Sequence, residues 1–148
     1  MARYIAQAQD VDLNSPILFD ASIPCSKGYI FHENGSGNFY LRGITQNCFA
    51  RYDITVQGNI AIPTGGAVTP IAVAITLDGE QRPYSRSIVT PAAVDEYGNF
   101  VAKDLITVPK GMNFSVSAEY VSGVTDGTTT PTPTINIING SIDINRVA

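Results

Sequence analysis

Apolar residues alternate with polar ones in short runs along this chain, and no segment sustains a 3.6-residue period. In residues 49–62, FARYDITVQGNIAI, one face carries Ile54, Val56, Ile60 and Ile62 and the other Asp53, Thr55, Gln57 and Asn59. That pattern predicts a half-exposed strand, with Gly58 as a bulge or bend. Shorter runs predict strands at the N-terminus, where Tyr4, Ala6 and Ala8 oppose Arg3, Ile5 and Gln7, and at 16–21, 101–109 and 113–121. The tetrapeptide NGSG accepts positive φ cheaply, so residues 27–42 read as a hairpin. Residues 91–100 read as a brief helical or turn element, and the Thr- and Pro-rich 123–134 as a long mobile loop. In the last segment the apolar phase changes between Ile137 and Ile142, across Asn139-Gly140. A tight hairpin and a bulged strand both satisfy this, and the bulged strand is preferred.

Residues 69–80, TPIAVAITLDGE, break the half-exposed pattern. Ile71, Val73, Ile75 and Leu77 alternate with Ala72, Ala74 and Thr76, so neither face is charged. Ile71, Val73 and Ile75, with Ile142 and Ile144, are expected in the core. The small second face needs a cover, and a symmetric copy of the chain is the expected one. Ala72, Ala74 and Thr76 are therefore candidate subunit contacts, with Tyr4, Tyr40 and Tyr52 as further candidates. About eight to ten short strands at roughly 8–12-residue spacing, with no room for parallel crossovers, predict an all-β fold: an antiparallel two-sheet jelly-roll sandwich.

The 148 residues suit one domain, and a 44% hydrophobic content excludes general disorder. Charged residues are only 15%, below the usual quarter, which again suggests surface covered by partners. Net charge is −4 and the nine basic residues are scattered, which argues against nucleic acid as a partner. The start, MARYIAQAQDVDL, lacks the apolar run of a secretory signal, and nowhere is there an apolar stretch of membrane-spanning length. Synthesis in a cytoplasm is the expectation. Cys25 and Cys48 match no zinc spacing; two buried thiols are favoured, with a disulfide between them as the alternative.

Catalytic chemistry is thin. His32 has no local nucleophile or orienting partner. Asp10, Asp12 and Asn14 imitate the opening of a calcium loop, but Ser15 and Ala21 stand where it needs Gly and Glu. Gly140, Ile142 and Asp143 match a short core motif of trimeric dUTP-hydrolysing enzymes, whose remaining motifs are missing. The agreement is taken as chance, and a nucleotide-hydrolysing enzyme is the least favoured function. No catalytic residue, cofactor or metal is expected.

The segments CFARYDITVQGNIAIPTGG, ITLDGE, SIVTPAAVDEYGNF, ITVPKG and INIINGSIDINRVA resemble the compact trimeric jelly rolls of the tumour-necrosis-factor and complement-C1q kind. More closely, they resemble short gut-phage proteins that decorate capsids or form head fibres. The resemblance implies a homotrimer with residues 71–77 and the C-terminal strand near the threefold axis. It implies a jelly-roll domain over 25–148, and an N-terminal strand or anchoring segment over 1–24 that is free to hold the trimer to a capsid. The expected function is then a non-enzymatic virion protein, made in a bacterial cytoplasm and assembled on the capsid surface. Its partners would be itself and the major capsid protein or another virion protein. A carbohydrate- or receptor-binding adhesion module, meeting cell-surface or mucus glycans, is the alternative, with Tyr84, Tyr97 and the 123–134 loop as its candidate contacts.

Overall fold

A computed structural model describes residues 2–23 and 28–147. It is an antiparallel two-sheet jelly roll. The strands are β1 (Ala2–Ala6), β2 (Gln9–Asp12), β3 (Asp20–Ile23), β4 (Ile30–His32), β5 (Phe39–Arg42), β6 (Phe49–Ala61), β7 (Ile71–Leu77), β8 (Glu80–Gln81), β9 (Ser87–Val89), β10 (Gly98–Pro109), β11 (Asn113–Ser122) and β12 (Thr134–Arg146). The first sheet runs β10-β6-β12-β1-β3, with β2 also on β12; the second runs β4-β5-β11-β7-β8, with β9 also on β7. The chain crosses between sheets after β3, β5, β6, β9, β10 and β11, and so closes one core.

Alternation decides which side of each strand enters that core. Ile54, Val56 and Ile60 of β6 and Phe100, Ala102 and Ile106 of β10 face Ile71, Val73 and Ile75 of β7 and Val116, Ala118 and Tyr120 of β11. All are buried, as are Ile142 and Ile144. Burying an Ile or Val contributes roughly 1.5–3 kcal/mol each, so these faces fix the register. β12 is one 13-residue strand, and its pairing with β6 shifts between Ile138 and Ser141. The bulge lies in β12 and Gly58 lies across from it, which refines the expectation of a bulge at Gly58 itself. Residues 91–97 hold turns and bends without helix, and residues 16–19 form an isolated bridge and irregular chain where a strand was expected. The 123–133 loop is pinned: Thr132 is buried, and its hydroxyl bonds Ala67 O at 2.5 Å and Thr69 Oγ1 at 2.8 Å.

Residues 2–23 do not stand free of the sandwich, because β1 is hydrogen-bonded to β12 on one side and β3 on the other. Tyr4 and Tyr52, expected as further subunit contacts, are core residues, at 2% and 0% exposure. β7 and β12, both expected near a threefold axis, sit in opposite sheets. Cys25 lies outside the described residues, so its pairing with Cys48 does too; Cys48 is exposed rather than buried.

Tyr52 links the two sheets. Its hydroxyl, carried on β6, donates to Arg42 O on β5 at 2.5 Å, with Tyr29 O at 3.2 Å. Tyr29 O already accepts from Arg42 N, so removing the hydroxyl strands chiefly the Arg42 carbonyl. Tyr52→Phe is expected to lower the unfolding free energy by about 1–3 kcal/mol, measured by urea denaturation. An unchanged midpoint would contradict this role.

Candidate binding surfaces

The second face of β7 is covered within the single chain. Ala72, Ala74 and Thr76 are 0%, 0% and 1% exposed. Among the described residues, taller side chains stand beside them on the adjacent strands. Ile88 of β9 stands opposite Ala72 on one side and Val121 of β11 on the other, and Glu119 stands opposite Ala74. Arg86 Nη1 reaches Ser122 O on β11 at 3.4 Å, so its side chain crosses β7. Thr76 Oγ1 meets Ser117 Oγ at 2.5 Å. Methyl groups between taller side chains lose their access to water without a partner. The chain thus buries these three residues, expected as subunit contacts, without a second copy. Glu119 shares this shielding, and desolvation raises its pKa above the ordinary carboxylate value.

Of the remaining candidates, Tyr40 is on the surface, 42% exposed on the outer face of the second sheet beside Phe31. His32 stacks on Phe39, with its ring nitrogens against Asn38 O and Phe19 O at 3.0 and 2.9 Å. Asp143 is held bidentately by Arg3, at 2.6 and 3.0 Å, as a cross-strand ion pair. Asp12 accepts from Thr134 Oγ1 at 2.8 Å. Asp126 caps the backbone of Thr128 and Thr129, which lowers its pKa.

Two surfaces stand out. The first is the sandwich edge where β10 meets β9 and the 3-10 turn Pro83–Ser85. It displays Tyr84, fully exposed, with Ile88, Val101 and Leu105 about half exposed. The turn is held rigidly. Ser85 Oγ accepts from Ile75 N at 2.8 Å, filling the gap in the β7 ladder between β8 and β9, and donates to Arg82 O at 2.7 Å. Arg82 Nε also bonds Asp104 Oδ2 across the edge at 2.8 Å. The backbone donors of Val101 and Leu105 are met by Ser87 Oγ and Asp104 Oδ1, so side chains cap this free strand edge.

The second is the outer face of the first sheet near the β12 bulge. Asn139 Nδ2 donates to Asn59 Oδ1 at 3.0 Å, and Asn59 Nδ2 donates to Asn99 Oδ1. The amides form one row across β12, β6 and β10, beside a shallow depression of about 310 Å³. A second depression, about 340 Å³, adjoins along β12 and is walled by Tyr97, Asn136 and Asp10. Alternation marks Asn59 as outward-facing, but only the register brings the three asparagines together.

No protein-family model matches the sequence, and no curated protein matches it. Among solved structures, the chain is similar to the globular domain of zebrafish complement 1qA (TM-score 0.55, 9% identity, 95% of each chain covered). It is also similar to the Eiger tumour-necrosis factor of S. frugiperda (TM-score 0.60, 9% identity, 100% of this chain and 92% of that one). These likenesses establish the C1q/TNF-like jelly-roll fold. A looser overlap, TM-score 0.41 at 16% identity over 95% of this chain and 79% of the other, is with the C-terminal domain of EclA, a sugar-binding protein; a common fold does not follow from it. None of the three is a phage or capsid protein by its description, so the capsid role expected from the sequence gains no support here.

The position of Glu119 gives a pH dependence. A carboxyl whose pKa is raised on folding contributes its full stability below its unfolded value, and this is lost as pH rises through the folded value. Glu119→Gln is therefore expected to raise Tm at pH 7, with the gain shrinking to nothing as pH falls below about 4. A pH-independent difference, or a fall in Tm at pH 7, would contradict it.

Proposed function

We propose that this chain is a non-enzymatic recognition module that works as a homotrimer, its copies joined along the edge of β10, β9 and the Tyr84 turn. The observation that carries this is the set of large apolar side chains left exposed on these elements: Tyr84 fully exposed, and Ile88, Val101 and Leu105 about half exposed. Large apolar side chains left in water on a well-packed domain mark an interaction surface. The capped β10 donors favour docking through side chains over the addition of a strand. Tyr84 on a braced turn loses little freedom on binding, which suits an anchor residue.

A copy of the chain is the occupant favoured by the composition, whose 15% charge leaves little of the usual solvated surface. Trimeric association is what the C1q and tumour-necrosis-factor resemblance implies. Such an edge would meet a different surface on the next copy, a heterologous contact that closes into a ring. The outer faces of the loops and of the remaining strands would then be free for a ligand. A binding module in several copies gains avidity without new contacts.

Light scattering on the eluting protein is expected to give about three times the 15.8 kDa chain mass. The double variant Tyr84→Asp with Leu105→Asp is expected to elute at the single-chain mass with unchanged β-sheet circular dichroism. A monomeric wild type, or a double variant of unchanged mass, would overturn this assembly.

A further inference from the structure

The β12 bulge builds something that a regular strand would not. Asn139 adopts the left-handed conformation, φ 56°, a conformation that costs most residues roughly 1–3 kcal/mol and that Asn tolerates better than others. In that conformation its amide meets Asn59 on β6, which in turn meets Asn99 on β10. All three amides run in the same sense. Each amide offers two donor hydrogens and an oxygen with two lone pairs, and the row consumes only two bonds. Asn139 keeps its whole oxygen, Asn99 keeps both its hydrogens, and Asn59 keeps one hydrogen and one lone pair.

Beneath the row the strands pack closely: a Cβ at Gly58 would lie 3.0 Å from Gly140 Cα, 3.1 Å from the buried Phe100 Cε1 and 3.2 Å from Ile138 O, so a side chain there would crowd the core side. Tyr97 lies on the same outer face, two residues before Asn99, and is 43% exposed. Among the described residues, neither depression is lined by a lysine or arginine.

We propose that the Asn139–Asn59–Asn99 row, with Tyr97, binds neutral saccharides. Paired hydroxyls on a sugar ring both donate and accept, as the spare sites of a carboxamide row do, while the C–H face of the ring packs on the Tyr97 ring. Without a cation in the lining, and with Asp10 near Tyr97, an acidic sugar gains nothing here. Polar groups that converge beside an aromatic ring are the usual composition of a ligand site. The depressions are shallow, so a single site binds weakly and several copies are needed for firm attachment. This names a ligand class for the recognition reading above and relies on it only for that multivalent gain.

The test is a glycan array with the intact protein, followed by calorimetry with the neutral oligosaccharides that bind. Saturable binding to neutral glycans is expected, without preference for sialylated or sulfated forms. Asn99→Ala and Tyr97→Ala are each expected to weaken binding about tenfold, the equivalent of one hydrogen bond or stacking contact, with unchanged mass and Tm. Asn99 is exposed on an edge strand, so its loss does not threaten the fold. Binding to no neutral glycan, or binding indifferent to both variants, would overturn the site and leave the recognition reading standing. A change of mass in Asn99→Ala would overturn it by making the row a subunit contact. A monomeric wild type that binds through these residues would uphold the site and overturn the trimer.

Discussion

A period of two along β12 is the constraint on which the structure turns. Ile135 and Ile137 must enter the core from odd positions, and Ile142 and Ile144 from even ones. Without an inserted residue, one pair would be turned into water. Burying two isoleucines contributes roughly 3–6 kcal/mol, against about 1–2 kcal/mol for one residue in the left-handed region. The bulge therefore wins. Its chemistry is specific: Asn accepts the positive φ, and Gly140 lets β1 approach, since a Cβ there would lie 2.9 Å from Ala6 Cβ. Gly58 then faces Gly140 across the pair, and the two glycines let the strands pack closely on the core side of the bulge.

The surfaces follow from how each strand disposes of its outer side. On the first sheet, Arg3 with Asp143 and Lys103 with Asp53 neutralise one another, and the amide row adds polarity without charge. On the second sheet, β7 hides small side chains among taller neighbours. Tyr84, Ile88, Val101 and Leu105 stay exposed on the 3-10 turn, β9 and β10, and the Ser85 brace and the Arg82–Asp104 pair hold that turn in place. The apolar edge and the amide face adjoin on β10, where Val101 lines the depression beside the row. The first suits a protein surface of matching shape, and the second suits a hydroxylated ligand.

Much of the fold was legible in the sequence because alternation is a local signal. The long strand β6, the hairpin of β4 and β5 and the bulged C-terminal strand all follow from side-chain parity and turn residues. The cover of Ala72, Ala74 and Thr76 was not legible, because it depends on the heights of Ile88, Val121 and Glu119 on adjacent strands. Tyr4 and Tyr52 fit the core pattern as well as a contact role, and only burial separates the two. The N-terminal strand carried its alternation plainly, but its place between β12 and β3 is a matter of topology. The asparagine row was least visible of all. Its members lie 40 residues apart in sequence, and the Asn139-Gly140 phase change was the one local trace of it.

The most direct test is a nuclear magnetic resonance titration that follows the side-chain amide signals of Asn59, Asn99 and Asn139 as a neutral oligosaccharide is added. If the bulge builds a ligand site, these signals shift together and saturably, while asparagines elsewhere, such as Asn113 and Asn145, stay still. If the three remain unmoved across a concentration range in which the protein demonstrably binds glycan, the row is only a cross-strand fastening and recognition lies on another surface.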